Sequence, residues 1–217
     1  MLRVTRVVCG PLQNNVYVLE DREAGRAALV DPGIEPEPVF EHIEANKLKV
    51  ELILLTHAHF DHVFSLAEAK RRYDAEIAVH SADLPLLSHL VQTAYSWGIP
   101  GAESAPPHDV ELSGGEVLEL AGNEIQVIHT PGHSPGQVAF FTGGDVLVGD
   151  TLFHRSVGRW DLPGADWHEL EHSIREKLFR LPDETVVWPG HGEPTTIGEE
   201  KRFNPFLGED PRLRPKL

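Results

Sequence analysis

The chain has 217 residues, a single cysteine, and 34 acidic against 19 basic side chains, for a formal charge of −15. One cysteine excludes an internal disulfide, and the negative charge disfavours nucleic acid, whose phosphates need clustered Lys and Arg. No apolar run suits a membrane span or a secretory leader, so one domain over 1–217 in the cytoplasm is expected.

Alternating and short apolar runs predict strands over 2–8, 16–20 and 26–30, then a helix over 37–47. The run Glu51-Leu52-Ile53-Leu54-Leu55 is short and closely bounded, and reads as a buried strand. Directly behind it comes Thr56-His57-Ala58-His59-Phe60-Asp61-His62, with three imidazoles and one carboxylate within six residues. On an extended backbone His57 and His59 point to the same side. Asp61 and His62 fall where a helix begins, because Val63, Leu66 and Ala69 recur at helical spacing and Lys70, Arg71 and Arg72 suit the end of its dipole. Ligands at a strand's end and at a helix's start present two adjacent binding directions, which suggests two ions.

A strand over 76–79 and a helix over about 82–90 follow, and the stretch 91–109 reads as a long loop, either covering the site or merely connecting. Three further strand-like segments then end in a polar residue beside glycine. Ile125-Gln126-Val127-Ile128 leads to His129-Thr130-Pro131-Gly132-His133, Asp145-Val146-Leu147-Val148-Gly149 to Asp150, and Thr185-Val186-Val187-Trp188 to Pro189-Gly190-His191-Gly192. A helix over 166–180 precedes the last of these.

The ordered set His57-Ala58-His59-Phe60-Asp61-His62, His133, Asp150 and His191 resembles the signature of the metallo-β-lactamase superfamily. Gly149-Asp150-Thr151-Leu152-Phe153, the stretch from Val157 to Gly164, and Pro189-Gly190-His191-Gly192 are similar to the glyoxalase II-like hydroxyacylglutathione hydrolases, in their short form without the C-terminal helical domain. The resemblance implies an α/β fold, a four-layered αββα sandwich. It implies that His57, His59 and His133 hold one divalent metal, that Asp61, His62 and His191 hold a second, and that Asp150 bridges them. Zinc is the expected ion, with iron or a zinc and iron pair as the alternative. The implied reaction is thioester hydrolysis, as of S-lactoylglutathione, by a hydroxide that the two cations generate near neutral pH. Asp61 and Asp150 are the candidate catalytic carboxylates, Asp61 also as a proton carrier. The expected partner is a small-molecule thioester, glutathione-linked or not, with no nucleic acid and no membrane. The alternatives are a mononuclear iron persulfide dioxygenase of the same superfamily, or a lactonase or other acyl hydrolase.

Gly132-His133-Ser134-Pro135-Gly136 matches the serine-hydrolase elbow G-x-S-x-G, but the residue after the serine must lend a backbone N–H to the oxyanion, and Pro135 has none. Ser134 is therefore read as a turn residue. His42, His80, His89, His108, His168 and His172 are expected to be solvated or capping. His129 and His154 are candidates to orient a ligand from behind. Cys9 is read as a buried structural thiol. Arg159 and Asp161 are read as a pair that fixes the loop behind Asp150, and Trp160 as a residue that reshapes the pocket edge or fills a gap.

Overall fold

The computed structural model describes residues 1–213; the last four residues of the expected unit 1–217 lie outside the described residues. In chain order the strands are β1 (Arg3–Cys9), β2 (Asn14–Asp21), β3 (Arg26–Val30), β4 (Lys49–Leu54), β5 (Glu76–His80), β6 (Val110–Leu112), β7 (Val117–Leu120), β8 (Asn123–His129), β9 (Val138–Thr142), β10 (Asp145–Gly149), β11 (Leu152–Phe153), β12 (Ser156–Val157), β13 (Val186–Pro189) and β14 (Thr195–Thr196). The helices are α1 (Glu37–Ala45), α2 (Phe60–Val63), α3 (Leu66–Tyr73), α4 (Leu84–Ser88), α5 (Leu90–Ser96), α6 (Trp167–Glu176) and α7 (Ile197–Phe203). One sheet carries β1 to β6 side by side in sequence order, antiparallel as far as β3 and parallel from there. The other has the order β14-β13-β10-β9-β8-β7, with β10 and β13 its parallel pair.

Period-two alternation explains the layers. Along β2 and β3, Val16, Val18, Ala27 and Leu29 face one side, while Tyr17, Leu19, Ala28 and Val30 face the other, and all are buried. The first set packs under Phe40 and Ile43 of α1, Leu66 and Ala69 of α3, and Leu90 and Ala94 of α5. The second set meets Ile125, Val127, Phe140 and Leu147 of the other sheet. Beyond that sheet, Ala139, Val146, Val148 and Val187 pack on Trp167, Leu170 and Ile174 of α6 and on Ile197 of α7. The order helix, sheet, sheet, helix is the four-layered αββα sandwich the sequence led us to expect.

Several elements differ from expectation. The helix placed at His62 is two, because the chain breaks between α2 and α3 at Phe64 and Ser65. The helix placed over 166–180 stops at Glu176, and a 3-10 turn, Leu178–Arg180, finishes it. The loop placed over 91–109 begins as helix α5, whose Leu90 and Ala94, four apart, are buried in the core. Strand β2 starts two residues early: Asn14 and Asn15 are polar yet buried, their amides donating to Asp61, Pro189 and Gly192. No helix among the described residues is long and apolar enough to cross a membrane.

The carboxyl ends of β3, β4, β10 and β13 meet at one edge of the sandwich. There Asn15 N–H donates to the Gly190 carbonyl (2.7 Å), Val138 N–H to the Thr56 carbonyl (2.8 Å), and the Tyr17 hydroxyl to the Pro189 carbonyl (2.5 Å), stitching sheet to sheet.

Candidate metal centre

Five of the seven candidate ligands follow a strand, and the other two sit on the helix that comes next. After β4 the chain stays extended through His59 (φ −66°, ψ 144°), so His57 and His59 project together, with ring centroids 4.8 Å apart. Helix α2 then lifts Asp61 and His62 to an adjacent position. His133 follows β8, Asp150 follows β10 and His191 follows β13. Two glycines make the approach possible. Gly149 has φ +51° and a side chain on it would strike the Thr56 hydroxyl, while a side chain on Gly190 would strike Asp150 Oδ1 and His62 Cε1.

All seven residues converge. His57, His59 and His133 bring one ligand atom each to within 4.8 Å of one another, and Asp61, His62 and His191 do the same beside them. Asp150 lies between the trios: its Oδ2 is 3.6 Å from His133 Nε2 and 3.7 Å from His191 Nε2, and its Oδ1 is 3.5 Å from His62 Nε2. His59 presents Nδ1, 2.8 Å from His133 Nε2.

The other nitrogens explain the aim. His57 Nδ1–H donates to the Thr56 hydroxyl (3.1 Å), His62 Nδ1–H to Asp31 Oδ2 (3.0 Å), His133 Nδ1–H to the Arg159 carbonyl (2.9 Å), and His191 Nδ1–H to the Leu12 carbonyl (3.1 Å). With a proton fixed on each Nδ1, the four imidazoles turn Nε2 inward. His57 Nε2, His62 Nε2 and Asp150 Oδ1 are buried without a hydrogen-bond partner. Such groups are costly to leave unsatisfied, and imidazole nitrogen with carboxylate oxygen is the set that borderline divalent ions take. The residues therefore fit a metal pair.

Electrostatics separate the two trios. Burial, then the neighbouring imidazoles, pushes His57 well below its ordinary value, and burial brings His59 to about 4, so both are neutral and able to ligate. Burial opposes charge on His62, yet Asp150 and Asp61 raise it well above the ordinary value. His191 is also raised, against burial, by its hydrogen bond with Asp61. Burial would lift the carboxylates, but the imidazoles outweigh it: Asp150 is held at about 2 and Asp61 below the usual carboxylate range.

Two functional residues were missed. Asp31, after β3, accepts from Thr56 N–H (2.8 Å), the Thr56 hydroxyl (2.6 Å) and His62, so its oxygens are committed to orienting ligands. Asp83 is fully buried and accepts from Ala58 N–H (2.9 Å), Ser134 Oγ–H (2.8 Å) and Gly136 N–H (2.6 Å), tying the loop of His57 and His59 to that of His133. The run Ala28-Leu29-Val30 before Asp31 was the available signal, the same as at Asp150. For Asp83 there was none.

Other expectations resolve individually. Ser134 is buried and bound to Asp83 rather than poised for attack. His129 does not touch a ligand: its Nε2–H donates to the Pro135 carbonyl (2.9 Å) and its ring stacks on His80 at 4.2 Å. His80 does cap, accepting from Ala82 N–H (3.1 Å), but from a buried position. His42 pairs with Glu20 (3.2 Å). Cys9 is buried, and burial lifts its thiol to about 11. Trp160 fills a gap against Trp167 and Phe206, with centroids at 5.2 and 5.8 Å. Arg159 does pair with Asp161.

A cleft of about 380 Å³ opens over Asp61, His59, His133 and Asp150, walled by Leu12, Phe60, Leu86, Trp97, Leu162 and Pro163. Of the expected loop, Thr93 in α5 and Trp97 after it line this cleft, whereas Ile99, Ala102 and Ala105 pack down on the core.

The model of the Metallo-beta-lactamase superfamily matches residues 9–191. Hydroxyacylglutathione hydrolase GloC of Haemophilus influenzae is 38% identical over 198 residues, covering 90% of this chain and 93% of GloC. The crystal structure of TTHA1623 in a di-iron-bound form is similar with a TM-score of 0.84 and 45% identity, over 94% of this chain and 100% of that one. The BLEG-1 B3 metallo-beta-lactamase has a TM-score of 0.88 and 35% identity, over 94% and 99% of the two chains.

Proposed function

The chain belongs to the metallo-beta-lactamase superfamily, and on that premise we propose that it hydrolyses thioesters at a two-metal centre. The observation that carries the proposal is the inward set of ligand atoms with Asp150 spanning both trios. His57, His59 and His133 would hold one ion, Asp61, His62 and His191 the other, and Asp150 both. Two divalent ions, zinc or a zinc and iron pair, would polarise the scissile carbonyl and ionise a shared solvent molecule near neutral pH.

The chain's own residues do the rest. The Nδ1 partners hold four imidazoles in one tautomer, so the ligand geometry is fixed before substrate arrives. Asn14 donates to Asp61 Oδ2 (2.9 Å), and the depressed pKa keeps Asp61 ionised; that suits ligation and makes a proton-carrying role the lesser one. Phe60 and Trp97 make the flank of the cleft apolar. The likeness to GloC supports a thioester substrate, and the di-iron relative supports iron as the second choice of metal. The BLEG-1 likeness favours a second reading, β-lactam hydrolysis.

The test is metal content per chain, run beside cleavage of thioesters including S-lactoylglutathione, and of a β-lactam. Two ions with thioester cleavage is the expected result. β-Lactam cleavage alone would favour the second reading, and one iron with neither activity would overturn both in favour of persulfide oxidation.

A further inference from the structure

The flank of the cleft carries information about the substrate that the ligand set does not. Phe60 stands between His59 and Asp61, and Trp97 lies against it with ring centroids 5.7 Å apart, so this pair offers an apolar track that leads directly to the candidate ligands. Leu12, Leu86, Leu162 and Pro163 extend the same surface. Trp97 and Leu12 remain 56% and 38% exposed, leaving apolar area in water beside the chemistry, as expected of a binding wall.

Cations are scarce there. From Tyr73 to His154 the chain has no Lys or Arg. Among the described residues lining the cleft, Arg159 is the one basic side chain besides the histidines, and its Nε and Nη2 are already engaged by Asp161 at 2.9 and 3.0 Å. A thiol carrier such as glutathione has two carboxylates and an ammonium group. Set against leucine and tryptophan, those charges would lose hydration along a wall that offers no cation beyond the metal pair at its floor and an Arg159 already paired with Asp161, in a molecule already at −15.

We propose that the preferred substrate is a thioester with apolar, uncharged arms, its acyl chain lying along Phe60 and Trp97, rather than a thioester of a multiply charged carrier. This rests on the thioesterase reading above. The test uses metal-loaded protein and the acetyl, butanoyl and hexanoyl thioesters of N-acetylcysteamine, with lactoyl-N-acetylcysteamine beside S-lactoylglutathione. We expect kcat/KM to rise about fourfold per added methylene, a slope that Trp97→Ala flattens, and the lactoyl ester of N-acetylcysteamine to outrun that of glutathione. In parallel, calorimetry compares two unreactive thioethers, S-hexyl-N-acetylcysteamine and S-hexylglutathione, and we expect the first to bind more tightly. A flat or falling acyl series, or tighter binding of the glutathione thioether, overturns the inference. If no thioester is turned over the thioesterase reading falls, and the two thioethers still decide which arm the cleft accepts.

Discussion

At the scale of single residues, Asp150 and Asp31 do different work with the same carboxylate. Asp150 Oδ1 is buried and unpartnered, whereas every oxygen of Asp31 is committed behind the ligands. Asp150→Ala is expected to abolish turnover and lower bound metal from two ions to one or none, read by elemental content; retained activity with full metal would sink the bridging role. Asp31→Ala is expected to leave one ion in place and weaken the other about 10- to 100-fold, the usual effect of removing a ligand's hydrogen-bond partner, as measured by competition with a chromophoric chelator. The seven candidate positions were legible in the sequence because four crowd directly behind one apolar run, while His133, Asp150 and His191 each follow an apolar run with glycine beside them. Asp31 has that same context in Val30-Asp31-Pro32-Gly33 but reads equally well as a turn residue. Only the 3.0 Å contact with His62, 31 positions away in the chain, separates the two meanings.

Among elements, the loops on either side of the cleft are set by contacts that local sequence does not reveal. Asp83 ends the 3-10 turn Ser81–Asp83 and clamps two ligand loops through three donors. Removing it leaves those donors buried and unsatisfied, so Asp83→Ala is expected to cost about 3 kcal/mol in urea denaturation and to disturb the absorption spectrum of a cobalt-substituted first trio. Ser134→Ala removes only one of the three donors and is expected to cost about 1 kcal/mol, with metal content unchanged; loss of turnover with metal and fold intact would revive serine catalysis. Helix α5 was illegible for a related reason. Its exposed Val91 and Tyr95, the adjoining Trp97, and the glycine and proline beyond dilute the spacing of Leu90 and Ala94, and what holds the helix is burial of those two in the core. The strands were easier to read, because central strands buried on both faces show as short, closely bounded apolar runs.

For the whole molecule, the titration of the ligand cluster couples metal to pH. His62 and His191 hold protons above the ordinary imidazole value in the metal-free fold. Their charge contributes stability that is fully present below the unfolded imidazole pKa and is lost as pH rises through the raised folded pKa. Metal must displace those protons, so affinity moves the other way, rising about tenfold per pH unit for each proton released until the sites are deprotonated. Isothermal titration in buffers of different ionisation enthalpy counts the protons, and an affinity flat between pH 6 and 8 would contradict the raised values. The sheet topology has a further consequence. Residues up to Leu112 build the first sheet and residues from Val117 onward the second, yet each trio takes ligands from both: His57 and His59 with His133, Asp61 and His62 with His191. A chain cut at Gly114-Gly115 would yield two fragments, neither owning a complete coordination set. Their reassembly should accordingly depend on added zinc and be undone by a chelator, making the fold a candidate for a metal-gated split reporter.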